Sequence, residues 1–202
     1  LQKLKDEAYA LNDRIESLVS SLKSAEDQNK ILTEQLEEYQ NWNDILRDLQ
    51  TKAAAGNYKD VVVEIEKNLA GLNIPADIKN EMDILNTQSR PKALRQIYDS
   101  AKKLYDANSK VKSKEGYQKA ASEYELAIRI MEKLTQKPTY WAEVYYYGGK
   151  AIALSETPSK EEAEKEAARC FKEVIKGAPG TKLASYSQGR LSDIEAGRKM
   201  NH

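Results

Sequence analysis

Cysteine and histidine are almost missing from this chain, with one of each among 202 residues. A single Cys excludes an intrachain disulfide framework and a thiolate zinc site. The single His is the last residue, His202, so histidine catalysis and histidine metal ligation are absent from the body of the sequence. Charge of one sign is missing too: 32 Lys plus Arg balance 32 Asp plus Glu, without the basic excess expected of a nucleic-acid binder. No stretch approaches the roughly 20 apolar residues of a membrane span, so no membrane insertion is expected of these residues, and none of them reads as a signal peptide. There is no Gly-rich phosphate loop; Gly177-Ala178-Pro179-Gly180 reads as a turn. These absences predict no catalytic residues, no cofactor and no metal. What remains is rich in charge and poor in Gly (9) and Pro (5), a profile that predicts helix throughout.

Up to Gly56 the apolar residues recur at alternating steps of three and four. One series is Leu1, Ala8, Ile15, Leu22, Asn29, Leu36 and Asn43; the interleaved series is Leu4, Leu11, Leu18, Ala25, Leu32, Tyr39 and Leu46. Read as positions a and d, they give more than six heptads, beyond the three or four that define a coiled coil. At 1.5 Å per residue the helix would be roughly 70 Å long, too long for a small domain to cover. The simplest cover is a second copy of the chain. The predicted oligomerisation residues are Leu4, Leu11, Ile15, Leu18, Leu22, Asn29, Leu32 and Leu36. Asn29 at an a position favours a parallel dimer, with a trimer as the alternative. Glu7, Asn12, Arg14, Val19, Gln28, Thr33 and Gln35 at e and g carry few complementary charges, so salt bridges specify the partner weakly. The pattern is already running at Leu1, which reads as a fragment or processed form with room upstream for a signal, lipid anchor or membrane helix.

After Gly56 the pattern changes to short amphipathic helices separated by turn signals. Predicted stripes are Val61, Val62, Ile65 and Leu69; Ile74, Ile78, Met82 and Leu85; then, opened by Pro91 at a first helical position, Leu94, Ile97, Tyr98, Ala101, Leu104 and Tyr105. Gly116 marks the next junction, before Tyr117, Ala120, Ala121, Tyr124, Ala127, Ile128, Met131 and Leu134. Pro138 leads a helix carrying Trp141, Tyr145, Gly148, Gly149 and Ile152. Ser159 and Glu162 form a capping-box signature ahead of Ala163, Ala167, Phe171 and Val174, and Leu183, Tyr186, Leu191 and Ile194 mark a last helix. No run alternates like a strand.

Ala167, Phe171, Val174 and Pro179 lie at the spacing of the second helix of a tetratricopeptide repeat, and Tyr117, Ala120, Tyr124 and Ala127 match it one unit earlier. Gly56, Tyr58, Val61 and Ile65 open a poorer first unit, and Trp141, Tyr145 and Gly148 fall at first-helix positions. The segment 183–191 is similar to the capping helix that follows a last repeat. From about residue 40 to 200 the chain therefore resembles the tetratricopeptide-repeat family, with longer spacings than a regular array. The resemblance implies an all-α fold: a coiled-coil oligomerisation stalk over residues 1–48, then a TPR-like α-solenoid of helical hairpins with a C-terminal capping helix over residues 49–202. Such stacks leave an extended binding face. A stalk followed by three repeats resembles the bacterial periplasmic coiled-coil and tetratricopeptide proteins associated with the Tol–Pal envelope machinery. This implies a non-catalytic scaffold that holds protein partners or peptide segments at the cell envelope, outside the cytoplasm. A cytosolic adaptor reading a peptide is the alternative, as is a solenoid appendage of an enzyme outside this chain.

The candidate partner-binding residues are aromatic: Tyr105, Trp141, Tyr145, Tyr146 and Tyr147, since tyrosine offers rigid amphipathic contact area and is enriched at interfaces. Successive helical residues point about 100° apart, so Tyr145, Tyr146 and Tyr147 cannot all face the core. The Lys-x-x-x-Asn spacing with which some tetratricopeptide proteins hold a C-terminal carboxylate does not occur. Cys170, beside Phe171 and without a His to activate it, reads as a small hydrophobe. Glu161, Glu162, Glu164 and Glu166, interleaved with Lys160, Lys165 and Arg169, read as a solvated helix face.

Overall fold

A computed structural model describes the backbone of residues 2–198 and all their side chains except those of Gln2, Leu4 and Ala8. The described residues are helical with no strand, in seven α-helices: α1 (Gln2–Ala54), α2 (Tyr58–Val63), α3 (Ala76–Val111), α4 (Lys114–Glu132), α5 (Trp141–Ser155), α6 (Lys160–Gly177) and α7 (Lys182–Glu195). Where the heptads alone delimit a stalk at residues 1–48, the chain divides into one unit of Leu1–Gln50 with Leu72–Met82 and another of Thr51–Gly71 with Asp83–His202.

In the first unit the heptad stripe of α1 changes character near Tyr39. Upstream, Leu11, Ile15, Leu18, Leu22, Leu32 and Leu36 are exposed. Downstream, Trp42, Ile45, Leu46 and Leu49 follow the i, i+3, i+4, i+7 spacing of a helix packed on a core; Leu46 and Leu49 are buried, as are Ile78 and Met82 of the same unit. The Tyr39 hydroxyl donates to Asp77, which lowers the Asp77 carboxyl below its ordinary range.

The second unit holds the main core. Its helices pack in chain order, α4 on α5, α5 on α6 and α6 on α7, with α5 also touching α7. Ala93, Leu94 and Ile97 of α3, Ala120, Tyr124 and Ile128 of α4, Val144 and Ile152 of α5, and Ala167, Phe171 and Val174 of α6 are all buried in one cluster. Small residues bring the axes close. A Cβ on Gly148 would stand 3.2 Å from Ile128 and 3.3 Å from Tyr124, and one on Gly149 would stand 3.0 Å from Phe171 and 3.1 Å from Cys170. The adjacent glycines therefore serve different neighbours of α5, Gly148 against α4 and Gly149 against α6. Ser113, Ser159 and Thr181 cap α4, α6 and α7 by accepting from Gly116, Glu162 and Ala184 backbone N–H groups, as N-cap hydroxyls do.

Three sequence expectations are corrected. Pro91 does not open a helix; it lies inside α3, which runs through it. An interior Pro removes a hydrogen bond and costs about 3 kcal/mol. Here tertiary contacts on both sides offset it: Glu66 accepts from Asn86 Nδ2 at 3.2 Å and Arg90 Nε at 2.8 Å, while Ala93 and Leu94 are buried just beyond. The helix from Tyr58 widens into a π-helical turn at Glu64–Asn68, closed by Leu69 N–H donating to the Glu64 carbonyl at 3.0 Å. Finally, Tyr186 is exposed, because α7 buries the face of Ala184, Ser187 and Leu191 instead.

Candidate functional site

Two surfaces carry the predicted interaction residues. On α1, the side chains of Leu11, Ile15, Leu18, Leu22, Leu32 and Leu36 are between 56% and 62% exposed, and Asn29 is exposed among them. Leu4 lies outside the described side chains, as do Leu1 and Ala8. Ile31, Val19 and Tyr9 are exposed off the stripe. The polar flanks bond locally, as Asn12 does in donating to Glu16 at 3.1 Å.

The second surface is built on the aromatic residues of the second unit. Tyr105, Tyr145 and Tyr146 are buried, whereas Trp141 and Tyr147 are half-buried. Of the three consecutive tyrosines, Tyr145 packs edge-on to Trp141 at 6.1 Å and donates to Glu132 at 3.1 Å. Tyr146 lies 6.1 Å from Phe171 and 6.2 Å from Tyr186. Tyr147 reaches the other way, edge-on to Tyr105 at 5.7 Å. A helix that presents rings on three sides bridges α3, α6 and α7 at once. Such ring pairs favour edge and offset geometries and add to the area they bury.

Cations lie over these rings. Lys102 Nζ is 4.9 Å from the Tyr147 centroid, Lys137 Nζ 4.9 Å from Trp141, and Lys150 Nζ 5.5 Å from Tyr105. Arg95 stands 5.2 Å from Tyr140, which stacks on Tyr98 at 4.9 Å. Burial raises the Tyr98, Tyr105, Tyr124 and Tyr145 phenols above their ordinary range. Tyr98 also donates to Glu143 at 2.5 Å, a bond that favours its neutral form.

Sequence reasoning missed the cations of this surface. Lys150 was legible as the lone charge in the apolar run 144–154 of α5, one turn after Tyr146 and Tyr147. Arg190 of α7 sits on a helix whose face the stripe misplaced, so no sequence signal marked it. Burial raises the Tyr146 phenol, and hydrogen bonding by Arg190 offsets part of that rise.

Cys170 is fully buried, and burial pushes its thiol up to about 12, the direction that keeps a thiol unreactive. The acidic run of α6 is tied up locally: Lys160 pairs with Glu164 at 3.6 Å and Arg169 with Glu166 at 2.6 Å. Among the described residues no cluster of three or more His, Cys, Asp and Glu could hold a metal ion, and no helix is long and apolar enough to cross a membrane. Compared with known proteins, the chain matches no family model, no curated protein and no solved structure.

Proposed function

We propose that this chain is a non-catalytic interaction scaffold, oligomerised through α1 as a coiled coil and holding protein partners on the helical hairpins of its second unit. The observation that carries the reading is the uncovered heptad stripe from Leu11 to Leu36. Burying a large apolar side chain is worth about 1.5–3 kcal/mol. Six partly exposed ones on each of two chains represent on the order of 10 kcal/mol, against about 8 kcal/mol for a micromolar dissociation constant. A second copy supplies the matching stripe without any further partner, and Asn29 fits a parallel dimer, with the trimer as the alternative.

Support for tetratricopeptide-like hairpins in α3–α4 and α5–α6, capped by α7, comes from the buried small and aromatic pairs Ala120 with Tyr124 and Ala167 with Phe171. The layout's likeness to periplasmic coiled-coil and tetratricopeptide proteins supports a place at a bacterial envelope. Two or three heads on one stalk would bind clustered partners by avidity.

The pairing is tested by Asn29→Cys in the otherwise native chain, where buried Cys170 stays inert. In a parallel seam the two introduced thiols approach within disulfide reach. Mild oxidation then links two chains, and a chain that stays unlinked at high concentration overturns the parallel seam.

A further inference from the structure

Lys150 is nine-tenths buried, yet among the described residues it has no carboxylate within ion-pair distance. Burial and the like charge of Arg190 together lower its pKa. Buried lysines are ordinarily paired, because an isolated charge loses its hydration without compensation. Asp106 of α3 and Asp193 of α7 are already engaged: Asp106 pairs with Lys102 at 3.6 Å, and Asp193 lies 3.0 Å from Arg198 and 3.8 Å from Arg190. Positive charge is thus left over where α3, α5 and α7 meet. The rings around it are Tyr105 beneath Lys150, half-buried Tyr147, and exposed Tyr186 beside Tyr146.

We infer that the face shared by α3, α5 and α7 takes an extended acidic segment of a partner protein, with one Asp or Glu carboxylate seated between Lys150 and Arg190. The inference rests on the reading of the hairpins as a partner-binding surface and names the chemistry of the partner. A carboxylate would receive charge-assisted bonds from two donors and give Lys150 the partner it lacks. The flanking rings favour a peptide over a small free anion, because Tyr186 and Lys102 offer exposed contact beyond a single carboxylate. Nucleic acid is disfavoured, since the cations are few and the chain has no net charge, unlike a phosphate-tracking stripe. Packed helices lie about 9 Å apart, so three span the length of about six extended residues.

The test is an array of random nonapeptides, each made in a Glu-centred and a Gln-centred version, probed with the full chain. The strongest Glu-centred peptide is then measured by calorimetry against wild type, Lys150→Met and Arg190→Gln. Lys150→Met keeps the stem over Tyr105 and removes the charge; Arg190→Gln changes a half-buried side chain and carries the test if the first variant fails to fold. The inference predicts preferential capture of Glu-centred peptides and at least about tenfold weaker binding by either folded variant. Equal capture of both versions with unchanged affinities overturns the acidic site and leaves the peptide-binding face standing. Capture of neither version overturns both.

Discussion

Leu18 of α1 and Leu94 of α3 are the same residue in the same secondary structure, yet one is 62% exposed and the other fully buried. The difference lies in the pattern around them. Leu94 belongs to a broad i, i+3, i+4, i+7 stripe with Ile97, Tyr98 and Ala101, and other helices of its own chain cover that face. Leu18 belongs to a 3.5-residue stripe with Leu11, Ile15 and Leu22, a period that a straight helix keeps on one side only by supercoiling with another. One region meets its packing needs within the chain, and the other leaves a stripe uncovered that the proposed second copy would cover.

The comparison can be broken in several ways, the strongest through the tyrosine-rich core. Tyr98, Tyr105, Tyr117, Tyr124, Tyr140, Tyr145 and Tyr146 all have phenols raised by burial. Their contribution to stability is whole below the unfolded tyrosine pKa of about 10. It is lost as pH rises above that, because the unfolded chain releases protons that the folded core retains. The near-ultraviolet circular dichroism of the second unit should therefore collapse between about pH 10 and 12. A signal that persists while absorbance at 295 nm reports full ionisation would contradict this burial.

Phe171→Ala empties a fully buried site against Gly149 and Tyr146. It should lose about 3–5 kcal/mol in urea unfolding, by the same amount at every protein concentration. A concentration-dependent loss would place Phe171 in an intermolecular contact instead. Leu18→Glu with Leu22→Glu should act in the opposite sense. It should remove about 2–4 kcal/mol of association free energy and reduce far-ultraviolet helicity, since a lone exposed helix is marginal in water. The near-ultraviolet signal of the core should not move; if it does, the stripe packs on the chain's own core.

The smallest effect sharpens the account of the core itself. The Tyr124 hydroxyl is buried, and among the described residues it has no hydrogen-bond partner. Tyr124→Phe should stay within about 1 kcal/mol of wild type, on the stabilising side. A larger loss would reveal a partner for that hydroxyl.

Much of this fold was legible in the sequence. The pattern change at Gly56 falls between helices, and Ser159 caps α6 as the spacing with Glu162 predicted. Local rules failed where distant contacts decide. Pro91 punctuates by its own chemistry, but Glu66, more than 20 residues away, grips Asn86 and Arg90 and carries α3 past it. The change from heptad to helix spacing at Trp42, Ile45, Leu46 and Leu49 is masked in the sequence because Tyr39 and Leu46 also satisfy the heptad. For the candidate surface, composition pointed to the tyrosines but not to which of them are buried. That depends on Gly148 letting α4, and Gly149 letting α6, approach α5 closely. The cations over the rings come from α3, α5 and the loop that precedes α5, and no linear spacing displays such a set.

The most direct measurement of the central claim is sedimentation equilibrium of the intact chain from micromolar to submillimolar concentration. The account predicts two or three times the single-chain mass of 22.8 kDa, falling toward one at the dilute end. A mass of one chain throughout would contradict it, and the stripe from Leu11 to Leu36 would then belong against a different protein.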